Sequence, residues 1–187
     1  RKMTAYQEGG HAVVAHYLPT MDSVHRVSIV SRGLALGFTL IPPERDKYTE
    51  TKTELLEKIT ALLGGRASEE LTFDEFTGGA ASDIGQATRI VRKMVIEYGM
   101  SALGPIYLGP QFEQMEWGKT MIRPSELSDE MQAKVDGEIK RIVDERYQMA
   151  KKILKKHKEK LNLIAKKLIK QETIESEEFA KLMGPRK

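Results

Sequence analysis

Along this chain apolar residues fall mostly at steps of three and four, and only one short interval alternates. Residues 4–18 predict a first helix: Ala5, Ala12, Val13, Val14, Ala15 and Leu18 are apolar, and Pro19 stops it. Thr4 followed three residues later by Gln7 matches a capping box. In "VHRVSIVS" (24–31), Val24, Arg26, Ser28 and Val30 alternate with His25, Val27, Ile29 and Ser31. With "LALGFTLIP" (34–42), after a turn at Gly33, this predicts two short strands paired as a hairpin. Pro42-Pro43 ends the second strand, because proline has no N–H to give to a ladder.

The helical period then dominates. In residues 46–71, Thr51 and Glu54 form a second capping-box pattern, followed by Leu55, Leu56, Ile59, Leu62 and Leu63. Gly64-Gly65 could end this helix, but Ala67, Glu70 and Leu71 keep the period, so continuation to Leu71 is expected, with the glycines admitting another backbone. "TGGAASD" (77–83) reads as a small-residue loop. The helix after it turns Ile84, Ala87, Ile90, Val91, Met94 and Val95 inward and ends at Gly99. From Ser101 to Pro124 the pattern dissolves, and "LGPIYLGP" alone holds four glycines and prolines, which predicts a long irregular loop. From Ser125 onward, Met131, Val135, Ile139, Ile142, Val143, Tyr147, Ala150, Ile153, Leu154 and Leu161 predict a long helix with a shorter one packed against it. A final helix is expected over 173–183. The fold class is therefore mainly α with a small β-sheet. One domain over 1–187 is expected, with a core of about 1–124 and a C-terminal amphipathic helical extension over about 125–187.

Composition narrows the function. The chain has 187 residues, 40% hydrophobic and 30% charged, with 30 Lys and Arg against 27 Asp and Glu. It starts at Arg1 without a signal-peptide pattern and so reads as a piece of a longer polypeptide. No apolar run nears the roughly 18 residues that span a bilayer, so any membrane anchor is expected outside this soluble piece. Cysteine is absent, which leaves His, Asp, Glu or amide oxygen as metal ligands. The late lysines in "KKILKKHKEK" (151–160) lack aromatic or arginine interleaving, so they read as a solvated helix face and no nucleic-acid partner is expected.

One constellation carries chemistry. In "AYQEGGHAVV" the helix advances about 100° per residue, so positions 7 and 11 share a face one turn apart, with Glu8 beside them. A metal over that face can take a ligand from each, and a carboxylate at position 8 can accept a proton from a water on the metal. Asp83 is a candidate third ligand, although it also reads as a helix N-terminal acid favoured by the dipole. Glu69 and Glu70 compete with it. Taken alone, a Glu-x-x-His pattern is common.

The blocks "AYQEGGHAVV", "VHRVSIVSRG", "ALGFTL", "ALLGGRASEEL", "TGGAASDIGQAT" and "MVIEYGMSALGP" follow one another in an order and spacing that closely resemble the peptidase domain of the FtsH family. These are membrane-anchored, ATP-dependent zinc metalloproteases of bacteria, mitochondria and chloroplasts, and the resemblance covers essentially the whole chain. It implies a hexameric ring, homo- or hetero-oligomeric, below a ring of AAA+ ATPase modules. The ATPase module, its ATP site and the membrane segments would lie outside this chain, and this domain would sit on the cytoplasmic side or in an organelle interior. By the same resemblance, zinc is the cofactor, His11 and Asp83 are zinc ligands, and Glu8 is the catalytic base. Gly37, Phe38, Thr39 and Leu40 would form an edge strand that binds extended polypeptide substrates independently of their sequence.

The departure is Gln7, where the family pattern has histidine. An amide oxygen is a weaker zinc donor than imidazole, and losing even a hydrogen-bond partner of a ligand costs about 10- to 100-fold. His16 lies about 140° around the helix from His11 and cannot substitute, and His25 falls in a strand. The expectation is a zinc metalloendopeptidase domain, degrading unfolded or membrane proteins, that binds zinc weakly and cleaves little. The alternative is a non-catalytic ring-assembly subunit or an engineered inactive variant.

Overall fold

The computed structural model describes residues 1–31, 36–44, 49–115 and 118–186. The elements run α1 (Lys2–Tyr17), β1 (Arg26–Ser28), β2 (Phe38–Leu40), α2 (Lys52–Phe73), a 3-10 turn (Gly78–Ala80), α3 (Ala81–Ile96), β3 (Gln111–Gln114), β4 (Thr120–Arg123), α4 (Asp129–Lys156), α5 (Lys158–Gln171), β5 (Thr173–Glu175) and α6 (Ser176–Met183). The fold is mainly helical with small antiparallel sheets, as the periodicity predicts.

The chain divides into two compact units, residues 1–87 with 145–187, and residues 88–144. In the first, α1 is the central rod. Ala5, Ala12, Val13, Val14 and Ala15 are fully buried, and a helix that is apolar and small on most sides belongs inside. Helices α2 and α5 cover most of it, and strands β1 and β2 lie against it too. Against α2 the approach is close: a Cβ on Gly10 would clash with the Gly64 carbonyl and stand 2.6 Å from the Ser68 Cβ. Ser68 Oγ donates to the Tyr6 carbonyl at 2.6 Å across the same contact. Helix α2 runs unbroken through Gly64-Gly65, as expected, because these glycines admit α1. Both capping-box bonds at Thr51 and Glu54 form.

Several expectations shift. Helix α1 is already running at Lys2 and has no side-chain cap, so Thr4 lies inside its first turn and no Thr4–Gln7 capping box exists. The two predicted strands pair antiparallel but are three residues each, with Val27 opposite Thr39. The predicted Gly33 turn lies outside the described residues. The tail contributes a strand where a helix is predicted: Thr173–Glu175 pairs with β1, Val27 opposite Ile174, giving the order β2-β1-β5. Isoleucine and threonine suit a half-buried strand, and Ile174 is fully buried. The helix proper starts at Ser176. Helix α5 packs chiefly against α1 rather than along α4, with Leu161 and Ile164 closing over Gly9.

In the second unit, Val91, Met94, Val95, Leu108, Val135, Ile139 and Ile142 are buried. Gly99 takes a positive φ after α3, as predicted, and the Met100 N–H returns to the Met94 carbonyl at 2.9 Å. The interval 101–124 is not wholly irregular. It holds the β3–β4 hairpin, with Phe112 opposite Ile122 and both exposed. Without a buried face its residues show no one-sided alternation, which is why the pattern missed it. Among the described residues no helix is long and apolar enough to cross a membrane.

Candidate functional site

Helix α1 carries Gln7, Glu8 and His11 on the surface it turns toward α2, β2 and the start of α3. His11 is anchored first. Its Nδ1–H donates to the Ala61 carbonyl of α2 at 2.9 Å, which leaves Nε2 pointing outward. That nitrogen meets Asp83 Oδ2, in the first turn of α3, at 3.2 Å. The imidazole has space because residue 65 is glycine. A Cβ there would collide with His11 Nε2, stand 2.8 Å from Cε1 and approach Gln7 Cγ at 2.9 Å.

Gln7 lies on the same face, one turn before His11, and is 8% exposed. Its amide sits against the loop leading to Asp83, where a Cβ on Gly79 would be 2.9 Å from Gln7 Oε1. Glu8 points into the neighbouring space and is 7% exposed. Its Oε2 accepts from Thr39 Oγ1 of β2 at 2.9 Å. The structure thus brings Glu8, His11, Asp83 and Gln7 together, and sets Thr39 beside them. Phe38 and Leu40 share the short strand with Thr39, Leu40 exposed, and β2 is an edge of its sheet. Gly37 precedes the strand and packs against the Glu8 side chain. His16 does not join: it is buried edge-on against Tyr17 and Phe179. His25 is exposed just before β1.

What holds Asp83 in place lies outside the local sequence around it. Glu69, weighed above as a rival ligand, is fully buried and grips the loop: it accepts from Thr77 N–H at 3.2 Å and from Thr77 Oγ1 at 2.7 Å. Thr77 Oγ1 in turn accepts from Gly79 N–H at 3.2 Å, which sets the 3-10 turn that enters α3. The signal for this role was an acid seven residues after Leu62, on the inward stripe of α2. Glu70 has a different task. Tyr147 Oη donates to its Oε2, and Lys151 Nζ lies 3.0 Å from Oε1, which ties α2 to α4.

The electrostatics follow from crowding Glu8, His11 and Asp83 together at a mostly buried face of α1. Burial alone would push the His11 pKa down. The Asp83 hydrogen bond, the negative charges of Glu8 and Asp83 and the Ala61 carbonyl outweigh it and lift the value to about 9. Burial raises Glu8 above the ordinary carboxylate range. The positive charge of His11 and the Thr39 hydrogen bond oppose that rise, while the Asp83 charge adds to it.

These groups fit a zinc ion only in part. His11 presents a ring nitrogen whose partner nitrogen is held by a carbonyl, the usual arrangement for a zinc-bound histidine, and Asp83 offers a hard carboxylate. The Gln7 amide is a poor third donor. Among the described residues no three His, Cys, Asp or Glu side chains converge to hold a metal ion.

The profile of peptidase family M41 matches residues 1–182. The chain is 46% identical over 185 residues to an ATP-dependent zinc metalloprotease FtsH 1 of Thermoanaerobacter sp., covering 98% of this chain and 30% of that protein. It is 45% identical over 186 residues to the ATP-dependent zinc metalloprotease FtsH of Thermotoga maritima, covering 98% and 30%. It is 44% identical over 185 residues to that of Bacillus subtilis, covering 98% and 29%. The chain spans about 30% of the length of these curated relatives.

Proposed function

The chain belongs to peptidase family M41, and from that premise we propose that it is the peptidase portion of an ATP-dependent zinc metalloendopeptidase whose metal site is impaired by Gln7. The observation that carries the reading is the meeting of His11 Nε2 with Asp83 Oδ2 at 3.2 Å, on the helix face shared by Gln7 and beside Glu8. Two groups able to ligate zinc are in place and the third position holds an amide, so affinity for zinc is low and peptide cleavage slow.

Glu8 is the proton carrier. Oε2 is occupied by the Thr39 hydroxyl, so Oε1 is the atom that takes a proton from the attacking water and returns it to the leaving amine. Burial suits it to this work, because a carboxyl held above its ordinary range gains and loses a proton more readily near neutral pH. Extended polypeptide substrates, unfolded or membrane proteins, pair with Gly37–Leu40 through main-chain hydrogen bonds.

In the longer protein this chain is one domain over 1–187, the helical tail sharing its core with the N-terminal part. It sits in a hexamer below its own ATPase ring, on the cytoplasmic or organelle-interior side of the membrane that anchors it. Gln7 also supports a second reading, a non-catalytic subunit that assembles the ring beside active neighbours. Zinc content and casein cleavage, measured on this chain and on Gln7→His, separate the two: gain of both supports an impaired protease, and gain of neither supports the assembly subunit.

A further inference from the structure

Thr39 plays two parts in β2. Its main chain stands opposite Val27 of β1, while its side chain turns toward Glu8. There Oγ1 reaches Glu8 Oε2 at 2.9 Å and the Glu8 main-chain carbonyl at 3.2 Å. Two residues earlier, the absence of a side chain at Gly37 makes room for the same glutamate. A Cβ there would stand 2.8 Å from Glu8 Cγ and 3.0 Å from Oε1. One short segment therefore supplies both the donor and the space for a glutamate that is only 7% exposed.

A glutamate side chain has three rotatable bonds, and a helix surface alone does not choose among its rotamers. A buried carboxylate without a donor is costly, and a hydroxyl aimed at one oxygen removes both the cost and the freedom. Threonine also suits a strand for its β-branched shape alone, in which case valine would serve as well. The hydrogen bond to Glu8 favours the other explanation.

We propose that Thr39 is a positioning residue for Glu8, its hydroxyl engaging Oε2 and leaving Oε1, beside Gly37, as the oxygen available to a proton. The inference rests on the reading of Glu8 as the proton carrier. It also joins the alignment of that group to the edge strand on which a substrate would pair, since both belong to residue 39.

Two variants test it. Thr39→Val keeps the shape and loses the donor, and Thr39→Ser keeps the donor. Crystal structures of both variants in the chain as it stands read the Glu8 side chain directly. Thr39→Ser is expected to leave Glu8 in hydrogen-bond reach of residue 39, and Thr39→Val to release it to another rotamer with the β1–β2 pairing intact. In the Gln7→His chain, Thr39→Val is expected to lower kcat roughly ten- to hundredfold on a fluorogenic peptide, as misalignment of a reacting group does. KM and the absorption spectrum of bound cobalt(II) stay unchanged, and Thr39→Ser recovers most of the rate. An unmoved Glu8 in Thr39→Val, or a Thr39→Ser as slow as Thr39→Val, overturns the proposal. An inactive Gln7→His parent instead contradicts the reading of function, and the crystal structures still decide what Thr39 does to Glu8.

Discussion

His11 Nε2 lies 3.2 Å from Asp83 Oδ2, so the two side chains best suited to ligate a metal hold each other directly. A metal ion and a proton compete for that nitrogen. With the His11 pKa lifted to about 9, the proton is bound throughout the neutral range and must leave before the nitrogen can ligate. In the Gln7→His chain, the apparent affinity for cobalt(II) is expected to rise with pH across the neutral and mildly alkaline range, because a ring nitrogen must lose its proton before it ligates. Titrations in buffers of different ionisation enthalpy measure the released proton. An affinity flat across that range contradicts the pairing.

Gly65 and Gly137 are helix-interior glycines that should answer the same substitution with opposite signs. Alanine gains about 0.5–1 kcal/mol over glycine in a helix, and nothing lies within 4 Å of a Cβ at Gly137, so Gly137→Ala is expected to stabilise by that amount. At Gly65 the new methyl falls on the His11 ring, and overpacking costs about 1–3 kcal/mol, which exceeds the propensity gain. Urea denaturation of both variants checks the contrast, and Gly65→Ala should also reduce metal uptake in the Gln7→His chain.

Glu70 gives a prediction on the acid side. The hydrogen bond from Tyr147, together with Lys151, holds its pKa below the ordinary 4.5. A carboxylate with a depressed folded-state pKa contributes stability above its unfolded value and loses it as pH falls through the folded one. Tyr147→Phe is expected to cost about 1–3 kcal/mol at neutral pH and to cost less below pH 4.5, where the unfolded carboxyl is already protonated. Denaturation at a series of acid pH values reads both effects.

Much of the fold is legible because local signals and packing agree. Thr51 and Glu54 write their capping box into four residues, and Gly64-Gly65 inside an apolar stripe anticipates the contact with Gly10. What stays hidden depends on partners distant in sequence. Nothing around Thr173 shows that it will pair with Ser28, and Phe112 and Ile122 lack the buried face that would mark them as a strand pair. At the site, the spacing of Gln7, Glu8 and His11 along one helix can be read directly. The Ala61 carbonyl that orients His11, the Glu69–Thr77 clasp and the Thr39 hydroxyl on Glu8 come from other elements and emerge only when the chain folds.

The β5 strand supplies a further check on that distant pairing. Ile174 is fully buried in the core of the first unit, so Ile174→Ala is expected to cost about 2–5 kcal/mol. The exposed Ile122 of the hairpin, replaced in the same way, should cost well under that. Equal losses in thermal denaturation would contradict the assignment of β5 to the core sheet.

On the function proposed, Gln7 is what separates this chain from an active metallopeptidase. Metal analysis by mass spectrometry, with casein cleavage on the same samples, tests it for this chain and for Gln7→His. Substoichiometric zinc and little cleavage are expected with Gln7, and one zinc per chain with at least a hundredfold faster cleavage after Gln7→His, more than the roughly 10- to 100-fold attached to a ligand's hydrogen-bond partner. Stoichiometric zinc and full cleavage with Gln7 in place would contradict it.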